Sequence, residues 1–228
     1  MNPSTRRLSL LAALMAVGIV GAGCGDDGSH PQSQVRIVHG SPDAPPVDVY
    51  VDGRKVVTNL PYLSDSDYLS VRAGERNLKV NATGTTVTVI DVDATLMARQ
   101  AYTVLAANYL ADIEPLLLED DRSAPPAGQA KLRVVHGAAG APAVDVYVTA
   151  PNAPLTTPTL TDVPFLGFSD YLTVPAGSYQ VRVTLADTTT VVIDTGAVGL
   201  AAGDIRTGIA VDAPGGGPPY SILLLQDN

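Results

Sequence analysis

The sequence predicts an all-β protein built as two tandem antiparallel β-sandwiches. Three observations carry that expectation. Residues 35–51 read VRIVHGSPDAPPVDVYV, and residues 132–148 return as LRVVHGAAGAPAVDVYV. Within both copies apolar and polar residues alternate with a period of two, as in half-buried strands. After residue 24 no stretch carries a helical stripe, apart from a single turn conceivable over Ala94 to Gln100, and this excludes an α/β fold.

The chain opens on a targeting segment. Arg6 and Arg7 precede the apolar run Leu8 to Val20, which is too short to span a bilayer and has the length of a signal-peptide core. The run closes on Gly21-Ala22-Gly23-Cys24. These residues resemble a bacterial lipobox, although Gly21 stands where that motif usually has a larger aliphatic residue. The resemblance implies a signal peptide over residues 1–23, removed before Cys24, and lipidation of Cys24. Cys24 is the only cysteine of the 228 residues, so the chain cannot form an internal disulfide. A membrane anchor through the lipid on Cys24 is therefore expected, with several acyl chains holding it firmly. The expected location is extracytoplasmic, at the outer membrane or cell surface. Residues 24–33 read as the lipidated cysteine and a flexible polar tether.

The first sandwich is expected over residues 34–120. Val35, Ile37 and His39 share one face of its first strand, and Arg36 and Val38 share the other. Val47, Val49 and Val51 alternate with Asp48 and Tyr50. Asp52-Gly53 then reads as a tight hairpin turn. Tyr68 to Val71, Leu78 to Val80, Thr85 to Val92, Tyr102 to Ala106 and Ile113 to Glu119 bring the count to about seven or eight short strands. Residues 121–130 are polar and contain Pro125 and Pro126, which marks a linker. The second sandwich is expected over residues 131–228, where Tyr179 to Val183 alternates cleanly.

The repeat extends well beyond its first block. Ser66-Asp67-Tyr68-Leu69 matches Ser169-Asp170-Tyr171-Leu172, and Leu116 to Leu118 matches Leu223 to Leu225. Insertions between the matched blocks, such as Thr149 to Leu160, are what loops between fixed strands produce. The recurring polar set is Arg36, His39, Asp48, Tyr50, Asp67 and Tyr68 in the first copy. Its counterparts are Arg133, His136, Asp145, Tyr147, Asp170 and Tyr171. Together these motifs resemble the bacterial domain-of-unknown-function family 4397 over essentially the whole chain after the tether. That resemblance implies an immunoglobulin-like sandwich, often in tandem and often behind a lipoprotein signal. It implies no activity and transfers no catalytic residue.

Composition narrows the function classes. A formal net charge of −9 disfavours nucleic acid, whose phosphates require clustered Lys and Arg. No G-x-S-x-G nucleophile, H-E-x-x-H zinc motif, paired-cysteine site or phosphate-binding glycine loop occurs. No enzyme activity, catalytic residue, metal or cofactor is expected. His39 and His136 share strand faces with Ile37 and Val134, so each is expected to hydrogen-bond a backbone carbonyl or a carboxylate such as Asp48 or Asp145. Tyr50, Tyr68, Tyr147 and Tyr171 leave open an aromatic ledge for sugar, against a plain edge-covering role. Acidic pairs such as Asp65 with Asp67, and Glu119-Asp120-Asp121, leave open a calcium site.

The leading expectation is a non-enzymatic cell-envelope lipoprotein acting as a surface spacer, adhesion or protein-interaction module. Its partner would be an envelope protein or glycan. The alternative is a module binding polysaccharide or calcium, and a hydrolase is the remote third reading. Cys24→Ala should release the protein from the membrane fraction on cell fractionation. Continued sedimentation with membranes would refute the lipobox reading.

Overall fold

In the computed structural model, residues 30–228 are described; Cys24, the signal segment and most of the tether lie outside them. Among the described residues there are sixteen strands, eight in each copy of the repeat. The first copy contains β1 (Gln32–His39), β2 (Val47–Val51), β3 (Arg54–Leu60), β4 (Leu69–Arg72), β5 (Gly74–Ala82), β6 (Thr88–Leu96), β7 (Ala101–Ala107) and β8 (Glu114–Asp120). The second contains β9 (Gln129–His136), β10 (Val144–Thr149), β11 (Leu160–Val163), β12 (Leu172–Pro175), β13 (Gly177–Leu185), β14 (Val191–Leu200), β15 (Ile205–Val211) and β16 (Ser221–Gln226). A 3₁₀ turn at Leu110–Asp112 is the only helical element among the described residues. The turn conceivable over Ala94 to Gln100 does not form as a helix. Ala94 to Leu96 complete β6 in register with β5, because Leu96 is needed in the core.

Each copy is a sandwich of two four-stranded sheets. In the first copy an outer sheet of order β3-β2-β5-β6 faces an inner sheet of order β4-β1-β7-β8. In the second, β11-β10-β13-β14 faces β12-β9-β15-β16. All ladders are antiparallel except β1 with β7 and β9 with β15, which run parallel. The hairpin between β2 and β3 turns on Asp52 (φ 50°) and Gly53 (φ 77°). Both residues are left-handed there, as a two-residue turn of the primed type demands.

The alternation in β1 and β7 feeds two different cores. Val35, Ile37, Tyr102, Val104 and Ala106 face the outer sheet and pack on Val47, Val49, Leu78 and Val80. Val38, Leu105 and Ala107 face the opposite way, into a cluster completed by Val135, Ile209, Val211 and Leu225 of the second copy. The inner sheets of the two copies therefore pack on each other, and the four sheets stack as one body. This explains why β7 is buried at every position and β1 at nearly all. Strands covered on both faces cannot show the half-polar alternation of strands with one wet face.

The loops before β4 and β12 contribute to the same seam. Leu63, Phe165 and Leu166 pack on the shared cluster, with Leu63 (φ 61°) and Leu166 (φ 62°) held in the left-handed region. A branched residue is strained there and persists only when its surroundings fix it. Here the carbonyls of His39 and His136 accept the N–H groups of Leu63 and Leu166.

Leu105→Ala should destabilise the protein by about 2–5 kcal/mol, the usual result of emptying a fully buried leucine site. Because its neighbours come from both copies, scanning calorimetry should show one cooperative transition moving to lower temperature. Two separated transitions, with only one of them shifted, would contradict a shared core.

Candidate functional site

The recurring polar residues fall into three settings. The first lies in the seam between the copies and is assembled from both. Arg36 on β1 and Arg133 on β9 project from the faces that carry Val38 and Val135. The Arg36 guanidinium donates to Asp227 Oδ1 at 2.7 Å and to the Gln226 carbonyl at 2.9 Å, both in the second copy. Arg133 donates to Asp120 Oδ1 at 2.5 Å and to the Glu119 carbonyl at 3.0 Å, both in the first. Each arginine thus pairs with an acid of the other copy, Asp120 at the end of β8 and Asp227 just past the end of β16.

Within its own copy each acid is held by two further donors. Asp120 Oδ2 accepts the Thr103 hydroxyl at 2.7 Å and the Tyr68 hydroxyl at 2.8 Å. Asp227 Oδ2 accepts Thr207 at 2.7 Å and Tyr171 at 2.8 Å. The arginines also lie over the tyrosine rings, with Arg36 and Arg133 each 4.7 Å from the ring centroids of Tyr68 and Tyr171. Both ion pairs are almost wholly excluded from solvent, with side chains no more than 3% exposed. Burial alone would pull the Arg36 guanidinium down, but the facing Asp227, Tyr68 and Asp120 together outweigh it and hold the group above its ordinary value. Burial pushes the Tyr68 and Tyr171 hydroxyls up, so both stay protonated as donors.

The second setting is the end of the first strand in each copy. His39 and His136 are buried, and each Nε2 lies 3.0 Å from a proline carbonyl, Pro45 for His39 and Pro142 for His136. His39 Nδ1 accepts the Ser41 N–H at 3.3 Å. An accepting Nδ1 and a carbonyl beside Nε2 require a neutral ring with its proton on Nε2. Burial depresses both imidazoles below their ordinary value, and the proline carbonyls offset that only in part. Of the two partner types expected for these histidines, the structure selects the backbone carbonyl. Asp48 and Asp145 lie on the outer sheets instead.

The third setting is those outer sheets. Asp48 accepts Lys55 Nζ at 2.6 Å, the Asn59 N–H at 2.9 Å and the Thr83 hydroxyl at 3.1 Å. Lys55, and then the Asn59 N–H, hold its carboxyl down at about 2. Asp145 accepts the Asp162 N–H at 2.8 Å. Tyr50 lies beneath Lys55, and Tyr147 is buried. Asp67 and Asp170 are exposed at the loops leading into β4 and β12.

The four tyrosines do not form one ledge. Tyr68 and Tyr171 are engaged inside the seam, while Tyr50 and Tyr147 belong to opposite outer sheets. Nor does Glu119-Asp120-Asp121 present a carboxylate cluster. Asp120 faces Arg133, and Asp121 accepts Lys131 Nζ at 2.6 Å. Among the described residues, no group of three or more His, Cys, Asp and Glu side chains is placed to hold a metal ion. Sequence reasoning missed Asp227, Thr103 and Thr207, and gave Asp120 to an open calcium site rather than to the seam. The two acids were legible: Leu-Leu-Leu-Glu-Asp at 116–120 recurs as Leu-Leu-Leu-Gln-Asp at 223–227.

Residues 33–147 and 149–228 both match the family described as Domain of unknown function (DUF4397). The chain belongs to the DUF4397 family. The break between the two matched segments falls inside β10, whereas the DUF4397 copies seen in the structure divide between β8 and β9. No curated protein matches the chain. Among solved structures, it is similar to a leucine-rich repeat protein from Bacteroides thetaiotaomicron at 14% identity and a TM-score of 0.22. That match covers 81% of this chain and 26% of the other. The Bacillus anthracis TIE protein matches at 12% identity and a TM-score of 0.26, over 79% of this chain and 34% of that one. The family CBM26 module CBMbc from Eubacterium rectale Amy13K, solved with maltoheptaose, matches at 10% identity and a TM-score of 0.26, over 86% and 97%. The chain thus spans a quarter to a third of the first two. Likeness this distant carries no argument about the DUF4397 site.

Two outcomes follow from the geometry. Arg36→Met leaves Asp227 buried without its counter-ion, and should cost about 3–5 kcal/mol in urea unfolding. Adding Asp227→Asn should cost less than the sum of the two single changes, because they share one interaction. The histidines set a pH dependence. Their unfolded rings titrate near 6.5 and their folded rings lower, so the folded state binds fewer protons. Their contribution is fully present above about pH 6.5 and is lost as pH falls below that value and through the lower folded ones. Urea midpoints should therefore drop between pH 7.5 and 5, and His136→Gln should flatten part of that slope.

Proposed function

We propose that this DUF4397 protein is a non-enzymatic cell-envelope lipoprotein. Its two sandwiches would act as one rigid body that spaces or presents an interaction surface away from the membrane. The observation that carries this reading is the exchange of Arg36 with Asp227 and Arg133 with Asp120 across an apolar seam. A chain whose copies acted as separate beads would have no use for two buried ion pairs between them. Inter-domain contact of this kind removes the relative motion that is otherwise the default for tandem domains. The lipobox-like Ala22-Gly23-Cys24 and the polar residues behind it support the anchoring half of the proposal.

The recurring polar residues support the absence of catalysis, because the tasks they perform are structural. The histidines are capped by proline carbonyls, and the seam acids are saturated by three side-chain donors each. The surviving surface features are exposed apolar side chains such as Val87, Met97 and Phe168, set among loops. In this reading they are available for contact with another protein.

Amine-reactive crosslinking of intact cells should yield discrete, reproducible adducts between this protein and another envelope protein. The adducts should disappear with Cys24→Ala, which removes the anchor but leaves the body intact. Adducts that are absent with the wild-type chain, or unchanged by Cys24→Ala, would overturn the reading of a membrane-held interaction module.

A further inference from the structure

We infer that the second sandwich holds a binding site for a single fatty-acid anion, a site the first sandwich has filled with its own side chains. A cavity of about 360 Å³ lies between the sheets of the second copy. Leu132, Val134, Val181, Ile193, Leu200 and Ile222 supply aliphatic walls from both sheets. The volume is at the small end of the roughly 300–1,000 Å³ typical of ligand sites. Its wall includes residues of β14 and β16, the strands that edge their two sheets on the same side of the sandwich.

The parallel ladders align the copies residue by residue and show how the space arises. Arg36 pairs with Thr103 in the first copy, and Arg133 with Thr207 in the second. One residue either side, Tyr102 and Val104 of the first copy correspond to Arg206 and Gly208 of the second. Tyr102 and Val104 are buried in the first core, and the Tyr102 hydroxyl is fixed by the Met97 N–H at 3.0 Å. Leu78, also in that core, corresponds to Val181. Three substitutions thus remove an aromatic ring, an isopropyl group and a methylene from one interior and not from the other.

The chemistry of the wall selects the occupant. Tyr179 and Tyr220 line the space, but their hydroxyls already donate to the carbonyls of Pro175 and Gly140 at 2.7 Å. The carboxylate of Asp194 is engaged by the Gln180 amide and the Gly196 N–H. Apart from the exposed Ser221 hydroxyl, the wall therefore offers aliphatic carbon and no free donor, as an alkyl chain requires. A cation for the polar end lies beside the wall rather than in it: Arg206 pairs across the ladder with Leu132, a wall residue. Arg206 lies on the same face of β15 as Gly208, two residues or about 7 Å along the strand, and its Nε is buried without a partner. Among the described residues its only ion pair is a long one, 3.5 Å to Asp204. A carboxylate there would gain a charge-assisted hydrogen bond.

The test is calorimetric titration of decanoate and decanol into the chain from residue 30 onward, which carries every strand and core cluster described above. Decanoate should bind at one site per chain and more tightly than decanol. Gly208→Val restores the side chain of the first copy. A Cβ at Gly208 would meet Ile222 Cγ2 at 3.4 Å and the Arg133 carbonyl at 4.0 Å, both ordinary contacts, so the change fits the backbone. It should raise the melting temperature and weaken both ligands at least about tenfold. Arg206→Gln should bring decanoate to the level of decanol and leave decanol unchanged. If Gly208→Val lowers the melting temperature, Val181→Leu serves as the filling variant and should weaken both ligands in the same way. The absence of saturable binding, or binding indifferent to the filling variant, would overturn the site. Equal affinity for decanoate and decanol in the wild-type chain would overturn the assignment of an anion.

Discussion

The exchange of charge across the seam is the constraint on which the rest of the molecule depends. Two arginines and two aspartates without access to water would be ruinous if any one were left alone. They are tolerated because each carboxylate accepts hydrogen bonds from three side chains, and each guanidinium donates to a carboxylate, a threonine and a backbone carbonyl. An apolar seam of similar shape would hold the copies together at least as well. What the charges add is register. Sliding one inner sheet across the other by a single residue would set both arginines against hydrocarbon, so one arrangement survives.

The arrangement also explains why the two strand types look so different. Strands of the outer sheets with one wet face read as simple alternation, as β6 does with Ile90 and Leu96 buried and Asp91, Asp93 and Thr95 exposed. β7 has no wet face at all, and β1 has none beyond Gln32 and Gln34 at its start. In these strands the positions that would be polar on a solvated sheet hold either a seam residue such as Leu105 or a member of the ionic network such as Arg36 and Thr103. Alternation persists, but it alternates between two cores.

That distinction marks how far the sequence could be read. The all-β class, the strand count and the hairpin at Asp52-Gly53 follow from period-two patterning and turn chemistry, and these are local properties. The placement of Arg36 and Val38 on one face, opposite Val35 and Ile37, was equally legible. Their destination was not. Nothing in residues 35–39 says that the far face meets a second sheet rather than water. The tyrosines Tyr68 and Tyr171 were open to reading as a surface ledge for the same reason, since a hydroxyl bonded to a buried carboxylate looks the same in sequence as one bonded to solvent. The proline carbonyls that cap His39 and His136 lie six residues downstream in each copy and emerge only from the course of the loop. The cavity is a different case. Its origin in Gly208 and Arg206 was visible in the repeat, but only once pairing fixed which residues correspond.

The reciprocity of the seam carries a consequence for how chains of this type can grow. Each copy offers one arginine and one aspartate to a neighbour that returns the same pair, so the device closes on itself after two. A third copy appended to the chain would find both existing partners occupied. Its own arginine would stand uncompensated unless a fourth copy arrived to answer it. Architecture built on this exchange is therefore counted in even numbers, and a solitary copy would complete itself by meeting its twin on another chain.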